Sequence, residues 1–141
     1  MIFTLQEAEC IRRKFFDAYK GLMRWHQQAW HRAKASAREV RTKLGRRRLL
    51  PAASSDWERF TGLVNMPVQG AAADGMKLAL VELSKRLPDG AHIILTVHDE
   101  VVVECQKSLA QEVGEMVRQV MVDSMDAVRR KAAPISSAIE W

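Results

Sequence analysis

Three polar residues, His98, Asp99 and Glu100, interrupt the stretch ILTVHDEVVVE at residues 94–104. The flanking runs are strongly β-type, so the three residues predict a tight reversal between two strands. Reversals of this kind usually turn on Asn-Gly or Asp-Gly, which tolerate a positive φ; no glycine is present here. Carboxylates at the end of a hairpin are rigidly held and accessible, as a ligand site requires. Their oxygens suit Mg2+, which commonly takes one or two carboxylates, several waters and the phosphates of a substrate. Asp99 is the candidate ligand, and a polar surface turn without a role is the alternative. A two-metal phosphoryl-transfer site needs carboxylates from more than one segment, so this cluster alone does not complete one. His98 has no second His or Cys at zinc-like spacing.

A second group lies upstream in NMPVQGAAADGMK, residues 65–77. Asn65 and Gln69 are four apart and share one face of a helix start. The small residues Gly70, Ala71, Ala72 and Ala73 follow, letting another surface come close. Amide side chains both donate and accept, and minor-groove acceptors are present at every base pair. The pair therefore suits contact with duplex base edges. The alternative is an Asn65 helix cap followed by an alanine-rich packing face. No Walker loop, dinucleotide glycine pattern or Ser/His/Asp order is present.

Charge points the same way. Between Arg24 and Arg48 there are nine basic side chains and one acid, Glu39; this stretch carries +8 of a net +5, leaving −3 for the remainder. A basic stretch beside an acidic remainder fits a polyanion partner, with a solvated surface as the alternative reading. The chain has 141 residues, 48% hydrophobic and 28% charged, enough for one folded domain. No apolar run is long enough to span a membrane. The N-terminus MIFTLQEAEC lacks a secretory leader, and Cys10 and Cys105 have no metal-like spacing, so a cytoplasmic chain with reduced thiols is expected.

The elements that must position these groups follow from periodicity and punctuation. Thr4 and Glu7 fit a capping box, and Ile11, Phe15, Tyr19 and Leu22 recur at helical spacing, with a kink expected at Gly21. A second helical stretch covers about 22–37. Residues 39–50, EVRTKLGRRRLL, predict a short hairpin broken at Gly45. Ser54 or Ser55 caps a helix through Val64. Pro67 suits the first turn of another helix running to about Arg86. Strands at about 92–97 and 100–105, a helix at about 107–131 and a last strand in 134–141 complete an α+β reading.

Taken together, TLQEAECIRRKFFDAYKGLMRWH, TKLGRRRLLP, NMPVQGAAADGMKLALVEL and ILTVHDEVVVE, in that order, resemble the family A DNA polymerases, the DNA polymerase I family. The third is similar to the family segment N-x-P-x-Q-G-x-x-A-D, the fourth to motif C, V-H-D-E. The resemblance implies a partial polymerase palm with adjacent helices, residues 1–141 forming a single partial domain: helices packed on a small antiparallel sheet that carries a metal-binding β-hairpin. It implies that Asp99 binds the catalytic divalent ions, with Glu100 in support, and that His98 lies near the primer terminus. Asn65 and Gln69 would contact primer and template in the minor groove, and Arg46, Arg47 and Arg48 would lie near the nucleic-acid backbone. The implied cofactor is Mg2+ in a two-metal site that this chain supplies only in part. The implied partners are primer-template DNA and a deoxynucleoside triphosphate.

The departures shape the functional expectation. The motif A aspartate and the fingers helix that grips the nucleotide have no counterpart here. Thr61 stands where many members carry an arginine, Arg59 is differently phased, and no clear G-x-x-W segment precedes Trp141. The chain therefore resembles the C-terminal segment of a DNA-directed DNA polymerase. It is expected to be inactive alone and to need an upstream polymerase segment in cis or trans for nucleotidyl transfer in replication or repair. The alternative is a non-catalytic remnant that still binds nucleic acid. Glu104 and Asp74 are the further carboxylates a metal site without motif A would draw on. An incomplete sheet also predicts exposed apolar surface and an unpaired strand edge prone to self-association.

Overall fold

Helix formation starts at Thr4, whose hydroxyl accepts the Glu7 N–H at 3.3 Å while the Glu7 carboxylate accepts the Thr4 N–H at 2.8 Å. This reciprocal capping box opens helix α1, Leu5–Ala18. The Thr4 N–H and then the Thr4 hydroxyl, also at 2.8 Å, donate to the Glu7 carboxylate and hold it below its usual range. A computed structural model describes residues 4–131. It contains helix α2 (Lys20–Lys34), strands β1 (Glu39–Arg41) and β2 (Arg47–Leu49), helix α3 (Asp56–Arg86), strands β3 (His92–Val97) and β4 (Glu100–Glu104), a 3-10 turn at Lys107–Leu109 and helix α4 (Ala110–Lys131). The expected last strand in 134–141 lies outside the described residues.

Among the described residues two sheets form rather than one: β1 pairs with β2, and β3 with β4, each as a two-stranded hairpin. The helix-rich α+β class holds, but the single small sheet is corrected to two separate ones. The first helical break also differs from expectation. It falls at Tyr19, which has φ −111° and ψ 62°, not at Gly21, which lies inside α2.

The larger correction concerns Pro67. Rather than opening a new helix, it sits inside the 31-residue α3. A proline in a helix interior loses one backbone hydrogen bond and costs about 3 kcal/mol. The helix persists because both flanks are anchored. Upstream, Ser55 and Glu58 form a second capping box, with the Ser55 N–H donating to Glu58 at 2.7 Å and the Glu58 N–H donating to the Ser55 hydroxyl at 3.2 Å. Downstream, Ala79 and Leu83 are buried.

The described residues separate into two compact units. The first comprises residues 4–40 and Leu49–Val64. Here aromatic rings supply the packing: Phe60 meets His26, Trp30 and Trp57 at centroid distances of 5.6, 5.5 and 5.4 Å, and Phe16 meets His26 at 5.5 Å. Helix α2 ends in a Schellman pattern, with Ser36 at φ 56° and its N–H donating to Ala33 while Ala37 donates to Arg32. Arg59 is buried and ties α3 to the preceding loop, donating to the Ala52 carbonyl at 2.8 Å and to Asp56 at 3.2 Å.

The second unit comprises Arg41–Arg48 and residues 65–131. Its core is Ala79 and Leu83 of α3 with Val120 of α4, joined by Ile93 of β3, Val101 of β4, and Met116, Val117 and Met121 of α4. At Gly75 the helices meet so closely that an added Cβ would strike the Met125 sulfur. Leu83 is fully buried at the centre of this cluster. Replacing Leu83 with alanine is expected to destabilise the fold by about 2–5 kcal/mol, read as a lower urea midpoint at unchanged slope. A loss under about 0.5 kcal/mol, the range of neutral surface changes, would show that this cluster is not the core.

Candidate nucleic-acid and metal site

The β3–β4 hairpin has a register that explains its missing glycine. Val97 pairs with Glu100, so His98 and Asp99 alone make the reversal. His98 adopts φ 53°, the left-handed region, at the first central position, where a type II′ turn normally takes glycine. A non-glycine residue there costs on the order of 1–3 kcal/mol, and such strain collects at functional positions. The imidazole is thus held at a backbone conformation that turn chemistry does not favour. His98, Asp99 and Glu100 are all exposed.

Alternation along the hairpin sorts its side chains. Val101 and Val103 are half-buried, whereas Glu100, Val102 and Glu104 are exposed. Leu95 pairs with Val102, placing both on the outer face, and Val97 shares that face two residues on. These three are 53%, 39% and 42% exposed. Ile94 is the extra residue of a bulge in β3. An apolar outer face therefore runs up to the turn that carries the carboxylates. Apolar surface is exposed in the first unit too, at Ile11, Phe15, Tyr19 and Trp57.

Helix α3 carries the amide pair in mid-helix rather than at its start. Asn65, Val68, Gln69, Ala72 and Ala73 are all exposed and fall on one side of the helix. The opposite side is occupied. Gly70 lies under the Thr42 methyl so closely that an added Cβ would collide with it. One turn on, the buried Asp74 accepts the Thr42 hydroxyl at 2.6 Å and the Arg46 Nε–H at 2.6 Å, with the Arg46 Nη2 at 2.5 Å. The Thr42 hydroxyl in turn accepts the Arg46 N–H at 3.1 Å, closing a turn through Gly45 at φ 89°.

The expected site residues thus fall into three groups, each on its own element. The reversal brings His98, Asp99 and Glu100 together; α3 brings Asn65 and Gln69 together; the β1–β2 hairpin carries Arg46, Arg47 and Arg48. Arg46 spends its guanidinium on Asp74, while Arg47 and Arg48 are exposed. Asp74 is engaged by Thr42 and Arg46, which removes it from the carboxylates available to a metal. Asp99 and Glu100 have the right donor chemistry for Mg2+ and the right accessibility. Among the described residues, however, no three His, Cys, Asp or Glu side chains converge as a metal-binding group. A divalent ion at this turn would need further oxygen ligands. His26 is packed among Phe16, Trp25 and Phe60 and does not join any of these groups. Cys10 and Cys105 are free thiols, and no described helix is long and apolar enough to cross a membrane.

The arrangement of helices and hairpins is that of a polymerase domain. It is similar to the POL domain of Pol1 from M. smegmatis, solved in complex with DNA primer-template and dNTP. The TM-score is 0.72 at 29% sequence identity, over 86% of this chain and 23% of that one. The sequence matches the family model for DNA polymerase family A over residues 1–138, so the chain belongs to DNA polymerase family A. It is 37% identical over 122 residues to the thermostable DNA polymerase I of Thermus filiformis, covering 82% of this chain and 14% of that protein. It is also 37% identical over 124 residues to DNA polymerase I of Aquifex aeolicus (strain VF5), covering 84% of this chain and 20% of that protein. The chain therefore spans 14–20% of the length of these relatives.

The strain at His98 separates backbone demand from side-chain role. His98→Gly is expected to match or exceed the native stability, whereas His98→Val should lose on the order of 1–3 kcal/mol, because a β-branched residue is penalised at positive φ. Thermal unfolding of the two variants checks this. Equal stabilities would show that the left-handed turn does not persist in solution.

Proposed function

We infer that residues 1–141 form one partial domain of a DNA-directed DNA polymerase, which binds primer-template DNA and presents Asp99 for metal-dependent nucleotidyl transfer. The observation that carries this reading is the hairpin reversal, which exposes an adjacent carboxylate pair beside a strained histidine within a family A fold. Asp99, supported by Glu100, would hold part of a Mg2+ pair. Bound there, such ions neutralise phosphate charge and acidify the attacking hydroxyl. His98 lies next to the carboxylates and would face the primer terminus. The exposed amides of Asn65 and Gln69, over the small side chains of Ala72 and Ala73, would read minor-groove acceptors. The substrates are a primer terminus and a deoxynucleoside triphosphate.

An upstream polymerase segment, in cis or trans, would add the remaining carboxylates and the nucleotide grip. Two observations support that partner. The described ligands are too few for two ions, and the hairpin's outer face at Leu95, Val97 and Val102 is apolar and exposed. The shortage of converging ligands equally favours the second reading, a nucleic-acid-binding remnant without catalysis.

Both readings require DNA binding, which fluorescence anisotropy with a labelled primer-template tests. Affinity is expected to fall steeply with salt, and Asn65→Ala with Gln69→Ala should weaken it by roughly tenfold with little change in salt slope. Asp99→Ala should leave it unchanged or slightly tighter, because a negative charge near phosphates is removed. Binding that is insensitive to salt, or unaffected by the amide substitutions, would overturn the reading.

A further inference from the structure

We propose that Asp74 is a positioning residue for DNA: with Thr42 and Gly70 it latches the basic β1–β2 turn onto α3, so that Arg47 and Arg48 meet the phosphate backbone while Arg46 serves as the strut. The proposal rests on the DNA-binding reading above and goes beyond it by assigning opposite roles within one arginine run.

The geometry leaves little slack in the turn. Both Asp74 oxygens are committed, Oδ2 to the Thr42 hydroxyl and Oδ1 to Arg46. The Thr42 hydroxyl is used twice, donating to Asp74 and accepting the Arg46 N–H. The Thr42 N–H donates to the Arg46 carbonyl at 2.9 Å, so the ends of the turn are tied by backbone as well. Gly70 and Asp74, one helical turn apart, form the seat: the first gives room and the second gives charge. Asp74 and Thr42 are buried, and an ion pair with one fully committed buried partner is costly to break. Arg46 cannot then spend the same charge on a phosphate. Arg47 and Arg48 follow it directly on β2, exposed and on alternate faces of the strand.

A bare-charge view and the latch predict opposite signs for one substitution. Removing an acid from a DNA-binding protein ordinarily tightens binding, since phosphate repulsion falls. The latch predicts that Asp74→Asn weakens primer-template binding by on the order of tenfold, with a shallower salt dependence as Arg47 and Arg48 lose their placement. Arg46→Gln should weaken binding and flatten the salt dependence as Asp74→Asn does, whereas Arg48→Gln, which leaves the latch intact, should lower the slope by about one. Asp74→Asn in the Arg46→Gln background should add little more. Thr42→Val, which keeps the shape, provides a milder variant if Asp74→Asn fails to fold by circular dichroism. Tighter binding by Asp74→Asn, or an effect of Asp74→Asn that is undiminished in the Arg46→Gln background, would overturn the proposal. Slow hydrogen exchange at the Arg46 Nε–H, lost in Asp74→Asn without DNA, reports the latch independently. Wild-type protein that shows the slow exchange but does not bind DNA would instead sink the DNA-binding reading, and the positioning role with it. Fast exchange in wild type would sink the latch alone.

Discussion

The packing of Ala79 and Leu83 on α3 against Val120 on α4, with Ile93 and Val101 of the hairpin laid over them, is the constraint on which the second unit depends. A two-stranded hairpin is marginal in water, so β3 and β4 hold their register only because one face is pinned to these helices. That pinning sets where the His98–Asp99 reversal falls. It also leaves the other face, with Leu95, Val97 and Val102, directed away from the core. The same helix α3 that anchors the hairpin seats the basic turn through Gly70 and Asp74 and displays the Asn65–Gln69 face. One long helix therefore organises three chemically different groups: carboxylates, amides and guanidinium groups.

The structure shows how a run of like charges is divided by use. Arg46, Arg47 and Arg48 are equivalent by type, but only the Arg46 guanidinium is shown on Asp74, where Nε and Nη2 both meet Oδ1 and leave Oδ2 to Thr42. The exposed carboxylates at the hairpin turn are managed differently. Asp99 and Glu100 are exposed, and the affinity of such carboxylates for a metal depends on how many further oxygens converge. Among the described residues no three His, Cys, Asp or Glu side chains converge as a metal-binding group, so the proposed role of Asp99 in a divalent-ion centre requires carboxylates from outside the turn.

Local signals carried much of this fold. The Thr4–Glu7 box, the Gly45 reversal and the two hairpin strands were legible because each is fixed by residues within a few positions. Pro67 misled for the opposite reason: its local preference is a helix start, and anchors at Ser55 and Leu83 override it. The break at Tyr19 in place of Gly21 is a similar small displacement. The site divides the same way. The carboxylate turn and the i, i+4 amides were readable from order and spacing. The Asp74–Thr42 bond spans 32 positions, and nothing in spacing or composition marks it. Asp74 read as a spare carboxylate for metal until its partners were visible. Its place at the end of the N-x-P-x-Q-G-x-x-A-D segment names the residue but not its partner.

Asp99 is proposed to belong to a nucleotidyl-transfer site that this chain only partly builds. Single-nucleotide primer extension with Mg2+ tests it most directly, using the purified chain alone, the chain with an upstream family A polymerase segment added in trans, and Asp99→Ala in both settings. The account predicts no extension by the chain alone, extension when the segment is present, and loss of that extension by on the order of a thousandfold or more in Asp99→Ala. Extension by the chain alone, or extension in trans that survives Asp99→Ala, would contradict it.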